Sequence, residues 1–248
     1  MIRLKTQNEI ELIGESCRLL SELFVLLRRE IKEGVTTAHL DSFARTFIKD
    51  KKAQPAFLGY MDYPAALCVS VNEEVIHGIP GKRVLRSGDI VGIDCGINLN
   101  GYYSDAAITV PIEPIKQETA LLLRITQECL EKAVAVIKPD IRIHEISRVV
   151  YDHAKKHGFG VVRDYCGHGV GFSQHEDPQI PNYISSGPNP RLKPGMVLAI
   201  EPMINLGTDS VNELDDGWTV VTADGKPSAH FEHTIAVTET GSRVLTSW

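Results

Sequence analysis

Two apolar runs in this 248-residue chain, GDIVGID (88–94) and GMVLAIE (195–201), each end on a carboxylate, Asp94 and Glu201. Two later runs, DAAITV (105–110) and EHTIAV (232–237), each begin on one, Asp105 and Glu232. Carboxylates gathered in apolar surroundings repel unless they are protonated or bridged by a cation. Four of them call for about four positive charges, which two divalent ions supply. Between the pairs, DYCGHGVGFSQHEDP (164–178) sets His168 and His175 seven positions apart among three glycines. Those glycines are not a nucleotide loop: Phe172 stands where a dinucleotide fingerprint needs its third glycine, and no Gly-Lys-Ser/Thr follows. One neutral imidazole added to the carboxylates makes an oxygen-rich set with a single nitrogen. Such a set favours Mn, Fe or Co, or zinc in a dinuclear hydrolytic site, over a thiolate zinc. Spacing alone does not say which histidine supplies that nitrogen.

The elements that must aim these groups are legible as a repeat. RVLRSGDIVGID (83–94) matches PRLKPGMVLAIE (190–201) at an offset of 107, and IKEGVTTAHLDSFARTFI (31–48) parallels IKPDIRIHEISRVVYDHA (137–154) at an offset of 106. DAAITV and EHTIAV match at an offset of 127, so the second copy carries about 20 extra residues between its two strands. Residues 7–32 and 115–137 supply the first helix of each copy, with Ile10, Ile13, Cys17, Leu20 and Leu121, Ile125, Leu130, Val134 at helical spacing. Each half reads helix, helix, strand pair. The chain is expected to be one catalytic domain, 1–248, with pseudo-repeats at about 1–112 and 113–241.

GDIVGIDCGINLNGYYSDAAITV is a hairpin signal around Asn100-Gly101. A two-residue loop puts Gly96 opposite Asp105 and leaves Asp94 diagonal to it on the same face. A four-residue loop makes Asp94 and Asp105 direct partners, and only an odd loop or a bulge separates their faces.

Composition excludes several classes. A net charge of −6 with no long basic run gives no electrostatic footprint for nucleic acid. No apolar run approaches the roughly 20 residues of a membrane span, and the charged N-terminus is not a signal peptide. Five cysteines without a C-x-x-C pair fit reduced thiols, so a cytoplasmic setting is expected, and with no long apolar stripe beyond core needs a monomer is the expectation.

The motifs SVNEEVIHGIP (70–80), GDIVGIDCGINLNGYYSDAA (88–107), YCGHGVGFSQHEDPQ (165–179), LKPGMVLAIEPMI (192–204), DDGWTV (215–220) and AHFEHTIAVTETG (229–241), in this order, resemble the short type I methionine aminopeptidases over essentially the whole chain. The resemblance implies the pseudo-twofold pita-bread α/β (α+β) fold, with two helix-helix-strand-pair repeats and a central antiparallel sheet. It implies metal ligands at Asp94, Asp105, His168, Glu201 and Glu232 holding two divalent ions. Asp105 and Glu232 would bridge them, Asp94 would serve one ion, and His168 and Glu201 the other.

The resemblance further implies catalytic roles for His77, His175 and Glu201, and a substrate pocket of Tyr60, Tyr63, Cys68 and Trp218 with the two histidines. The implied activity is removal of the initiator methionine from nascent chains whose second residue is small, any ribosome contact being transient. Ile2 then predicts that the chain keeps its own Met1. Two departures stand out: Phe57 where a small residue or cysteine is common, and Gln174 where an apolar residue is usual. Gln174 is expected to make the pocket wall more polar. The alternatives are an Xaa-Pro aminopeptidase or prolidase of the same fold, and a non-catalytic pita-bread binding protein.

Overall fold

Thr6 starts the first helix: its hydroxyl accepts the Glu9 N–H, and the Glu9 carboxylate accepts the Thr6 N–H in return. From this cap helix α1 runs Gln7–Glu30 and buries Ile10, Ile13, Cys17 and Leu20, as the periodicity predicts, together with Leu23, Phe24 and Leu27. Helix α2 (Thr37–Asp50) is capped by Thr36, whose hydroxyl accepts the His39 N–H. The second half repeats the pair as α3 (Gln117–Val136) and α4 (Ile143–Lys156). In α3 the buried stripe is Leu122, Ile125, Cys129, Leu130 and Ala133, so Leu121 and Val134 lie at its edge rather than on it. The computed structural model describes all residues, 1–248, and none of its helices is long and apolar enough to cross a membrane.

The hairpin closes with the two-residue loop. Leu99 pairs with Tyr102 across Asn100 and Gly101, both at positive φ (55° and 86°), the turn an Asn-Gly pair favours. Gly96 therefore faces Asp105 and Asp94 faces Ala107, which leaves the two aspartates diagonal. Strand Ile90–Leu99 pairs on its other side with Cys68–Val71, Cys68 lying opposite Asp94. In the second half, strand Val197–Ile200 lies between His233–Val237 and Gly167–Gly169, with His168 opposite Ala199.

The two sheets meet at one bridge, Ala107 to Glu232, where the Glu232 N–H donates to the Ala107 carbonyl at 2.9 Å. A 43-residue apolar cluster draws on all four helices and on strands of both halves. Helix α1 is tied to the hairpin beneath it by Ser16, whose hydroxyl donates to the Ile97 carbonyl at 2.9 Å.

The repeat also shows why His168 has no counterpart in the first half. Ala199 corresponds to Gly92 at the offset of 107, and Gly92 faces Ser70 where Ala199 faces His168. The extra residues of the second copy form short strands of their own. Among these, Val220–Thr222 pairs with Glu74–Ile76 of the first half, so the insertion forms a wall beside His77.

Candidate metal centre

Asp105, His168 and Glu232 each offer a ligand atom, and these atoms lie within 4.8 Å of one another. The imidazole is at the centre: its Nε2 is 3.5 Å from both Asp105 Oδ2 and Glu201 Oε1. Its Nδ1 is 2.8 Å from the Gly169 carbonyl. A carbonyl only accepts, so the proton sits on Nδ1 and the Nε2 lone pair is left to face the carboxylates. Asp94 lines the same cleft as these four groups.

Asp105, Glu232 and His168 are only 3%, 2% and 8% exposed. Burial pushes Asp105, Glu201 and Glu232 well above the usual carboxylate range, and mutual repulsion adds to the rise for Asp105 and Glu232. It raises Asp94 to about 7, against the pull of His230 and with a push from Glu201. Burial also holds His168 down at about 3, with His175 adding to the effect. Asp94 Oδ1, Asp105 Oδ1 and Glu232 Oε1 are buried with no hydrogen-bond partner. Buried polar atoms rarely stay unpaired. Three such oxygens in one cleft with a free imidazole nitrogen are the donor set a divalent cation completes, and the residues fit that group.

A cleft of about 270 Å³ includes the cage in its wall and is lined also by Tyr60, Tyr63, Cys68, His77, His175 and Trp218 among others. It therefore gathers every substrate-binding residue expected from the sequence. His77 is held at φ 60°, a conformation non-glycine residues rarely adopt. Its ring is wedged edge-on between Tyr165 and Trp218, with centroids 5.5 and 6.0 Å away. Gly78 follows it because a Cβ there would come within 2.3 Å of the Val69 carbonyl oxygen. Burial lowers His77 to about 4, so its ring is neutral.

Trp218 is presented by a turn that Asp216 organises. The Asp216 carboxylate accepts the Trp218 and Thr219 N–H groups at 2.9 and 2.8 Å, which accounts for DDGWTV. Tyr63 is buried, its hydroxyl 3.0 Å from the carbonyls of both Leu67 and Gly78, so its ring is a fixed wall. His175 Nδ1 is 2.9 Å from the Tyr60 hydroxyl, and the two rings lie 5.2 Å apart.

Gln174 departs from the expectation. It is 2% exposed and absent from the cleft wall; its amide Nε2 donates to Asp105 Oδ2 instead. There is room for it because residue 96 is glycine: a Cβ there would lie 2.7 Å from Gln174 Oε1 and 3.0 Å from the Phe57 ring. Phe57 does line the cleft. The glycines of DYCGHGVGFSQHEDP also have a different task from a nucleotide cradle. A Cβ at Gly167 or Gly169 would meet the Ala199 or Asp177 carbonyl oxygen at 2.5 or 2.3 Å, so their absence lets the strand wedge between its neighbours.

Sequence reasoning passed over His230. It is buried, its Nε2 lies 3.6 Å from Glu201 Oε2, and that nitrogen has no hydrogen-bond partner. Its position two residues before Glu232, in AHFEH, was the available signal. Tyr165 and Cys166 line the cleft as well and were not singled out.

The sequence model of metallopeptidase family M24 matches residues 11–239. The methionine aminopeptidase of Treponema pallidum is 51% identical over 99% of this chain and 96% of its own length. Methionine aminopeptidase 1 of Bacillus subtilis is 50% identical over 99% of each. Among solved structures, the methionine aminopeptidase of Thermotoga maritima matches with a TM-score of 0.97 at 44% identity, covering 100% of both chains. The prolidase from Pyrococcus furiosus matches with a TM-score of 0.81 at 26% identity, over 99% of this chain and 65% of that one.

Proposed function

This chain belongs to metallopeptidase family M24, with the pita-bread α/β fold, and is a metal-dependent aminopeptidase that removes N-terminal methionine; on that premise we propose a specific division of labour among its residues. Asp94, Asp105, His168, Glu201 and Glu232 hold two divalent ions. The observation that carries this reading is the set of three buried, unpartnered carboxylate oxygens that share one cleft with a free imidazole nitrogen. Divalent ions bound there would lower the pKa of a coordinated water and polarise a carbonyl.

The remaining tasks fall to side chains. Glu201, with one oxygen toward His168 and the other toward His230, is the carboxylate suited to hold a proton and pass it to the leaving amine. When the Tyr60 hydroxyl donates to His175 Nδ1, the imidazole proton resides on Nε2. That leaves an N–H donor for the oxygen that gains charge as the scissile carbonyl is attacked. His77, neutral and clamped by two aromatic rings, meets the scissile amide or the residue after it. Tyr60, Tyr63, Cys68 and Trp218 surround the methionine side chain, and Phe57 narrows the same cleft. A thioether fits such an apolar, aromatic slot.

The substrates are N-termini of nascent chains carrying methionine before a small residue. The enzyme acts as a monomer in the cytoplasm, with at most transient ribosome contact; the five free cysteines agree with that setting. An Xaa-Pro enzyme is disfavoured, because full-length identity near 50% lies with methionine aminopeptidases and the prolidase match is at 26%.

The deciding experiment strips the protein of metal and assays a Met-Ala-Ser peptide beside an Xaa-Pro peptide, restoring Mn, Fe, Co or Zn one at a time. Methionine release that returns at two metal equivalents is expected. Full activity without metal, or at one equivalent, would refute the dinuclear reading.

A further inference from the structure

The segment before α1 reaches the turn that carries His175. Lys5 Nζ donates to Glu176 Oε2 at 2.7 Å, and the two side chains are 2% and 5% exposed. The other carboxylate oxygen, Oε1, accepts the N–H groups of Phe172 and Ser173 at 2.6 and 3.0 Å. One carboxylate therefore closes the turn from within and fastens it to a lysine 171 positions away. Arg3 adds a contact of 3.1 Å to Oε1 from the surface.

The lysine is itself fixed. Its backbone N–H donates to the Gly195 carbonyl at 2.8 Å, and its ammonium lies 5.3 Å from the Phe172 ring centre. Its stem passes so close beneath Gly171 that a Cβ there would meet Lys5 Cε at 3.0 Å. Desolvation works against the charge on both partners, yet the lysine and the two amides keep the Glu176 carboxyl below its usual range. A buried ion pair contributes little net stability compared with an apolar pair of the same shape. What it supplies is a fixed geometry. His175 needs that support, because it is exposed on the cleft side and its ring has the Tyr60 hydroxyl as its polar partner.

We propose that Lys5 is a positioning residue for the reaction: through Glu176 it holds the 172–176 turn in the form that presents His175 to the cleft. This rests on the reading of His175 as a donor to the reacting carbonyl. Lys5 lies outside the cleft lining and acts only through the turn.

The test compares wild type, Lys5→Met, His175→Ala and the double variant at saturating Mn²⁺ on Met-Ala-Ser, with amide hydrogen exchange followed across 171–177. Lys5→Met keeps the apolar stem and removes the charge. It should lower kcat about tenfold or more, since a small misplacement of a catalytic group is costly, with KM within about twofold. Exchange at the Phe172 and Ser173 amides should quicken. The double variant should be no slower than His175→Ala alone, because the lysine works through the histidine. If Lys5→Met does not fold, Glu176→Gln replaces it, discharging the pair while keeping an acceptor for both amides.

Unchanged exchange at those amides, or losses that multiply in the double variant, would overturn the proposal. Near-wild-type turnover of His175→Ala would overturn the underlying reading of His175 and the proposal with it. The exchange result distinguishes that failure from failure of the pin itself.

Discussion

Glu232 donates its backbone N–H to the Ala107 carbonyl, and this bond joins the strand Tyr102–Pro111, which carries Asp105, to the residue that leads into strand His233–Val237. The carboxylates are thus drawn from both halves of the chain and converge at the seam between them. Neither half holds the set alone: Asp94 and Asp105 come from one, His168, Glu201 and Glu232 from the other.

Asp105→Ala and Glu232→Ala are each expected to abolish methionine release and to lower bound metal, measured by elemental analysis after dialysis. Both variants should fold. In chelator Glu232→Ala should be at least as stable as wild type, because it removes a buried carboxylate oxygen that lacks a partner without metal. Retained turnover in either would end the dinuclear proposal.

His175→Ala should lose about 10²- to 10³-fold in kcat, with metal content unchanged. Tyr60→Phe should lose less, since it removes the hydroxyl that meets His175 Nδ1 and leaves the ring in place. Loss of metal from the His175 variant would move that histidine among the ligands.

Gln174→Leu removes the amide donor to Asp105 Oδ2 without opening the cleft. Metal affinity, read by calorimetric titration of the metal-free protein, should fall about 10- to 100-fold, as it does when partners of metal ligands are removed. The preference for methionine over leucine or norleucine at the first position should stay the same. A changed preference with unchanged affinity would return Gln174 to the pocket wall.

The raised carboxylates set a pH dependence whose sign differs with and without metal. An unfolded aspartate titrates at about 3.9, and Asp94 in the folded, metal-free chain is raised to about 7. Its contribution to stability is fully present below the unfolded value and is lost as pH rises through about 7. Metal-free wild type should therefore lose stability relative to Asp94→Asn between about pH 4 and pH 8. The difference in Tm should move toward the variant as the pH rises through that window. Saturating metal should reverse the order at pH 8, where the variant lacks a ligand. A Tm difference independent of pH in chelator would contradict the raised carboxyl.

Much of this was legible because it is written locally. The Asn100-Gly101 dipeptide takes positive φ at both residues, so the turn sets the register, and the register sets Asp94 diagonal to Asp105. The apolar period of α1 was readable at Ile10, Ile13, Cys17 and Leu20 because one helical face repeats every few residues. In α3, where apolar residues are spread more widely, the buried stripe centres on Leu122 instead of Leu121. The His230–Glu201 contact was less legible, because a histidine's orientation toward a neighbouring strand leaves no mark in spacing.

The sequence by itself determined the repeat, the turn, the carboxylates that flank the apolar runs and the motifs that gather the cleft, since each depends on residues near one another along the chain. Only the tertiary structure decided where Gln174 points, what Glu176 holds and what Lys5 meets. Lys5 and Glu176 are 171 positions apart, and Gln174 and Asp105 are 69 apart. Whether such pairs meet depends on the packing of the whole chain: glycine at 96 makes room for one contact, and the path of the chain before α1 makes the other. Local propensity carries no information about either.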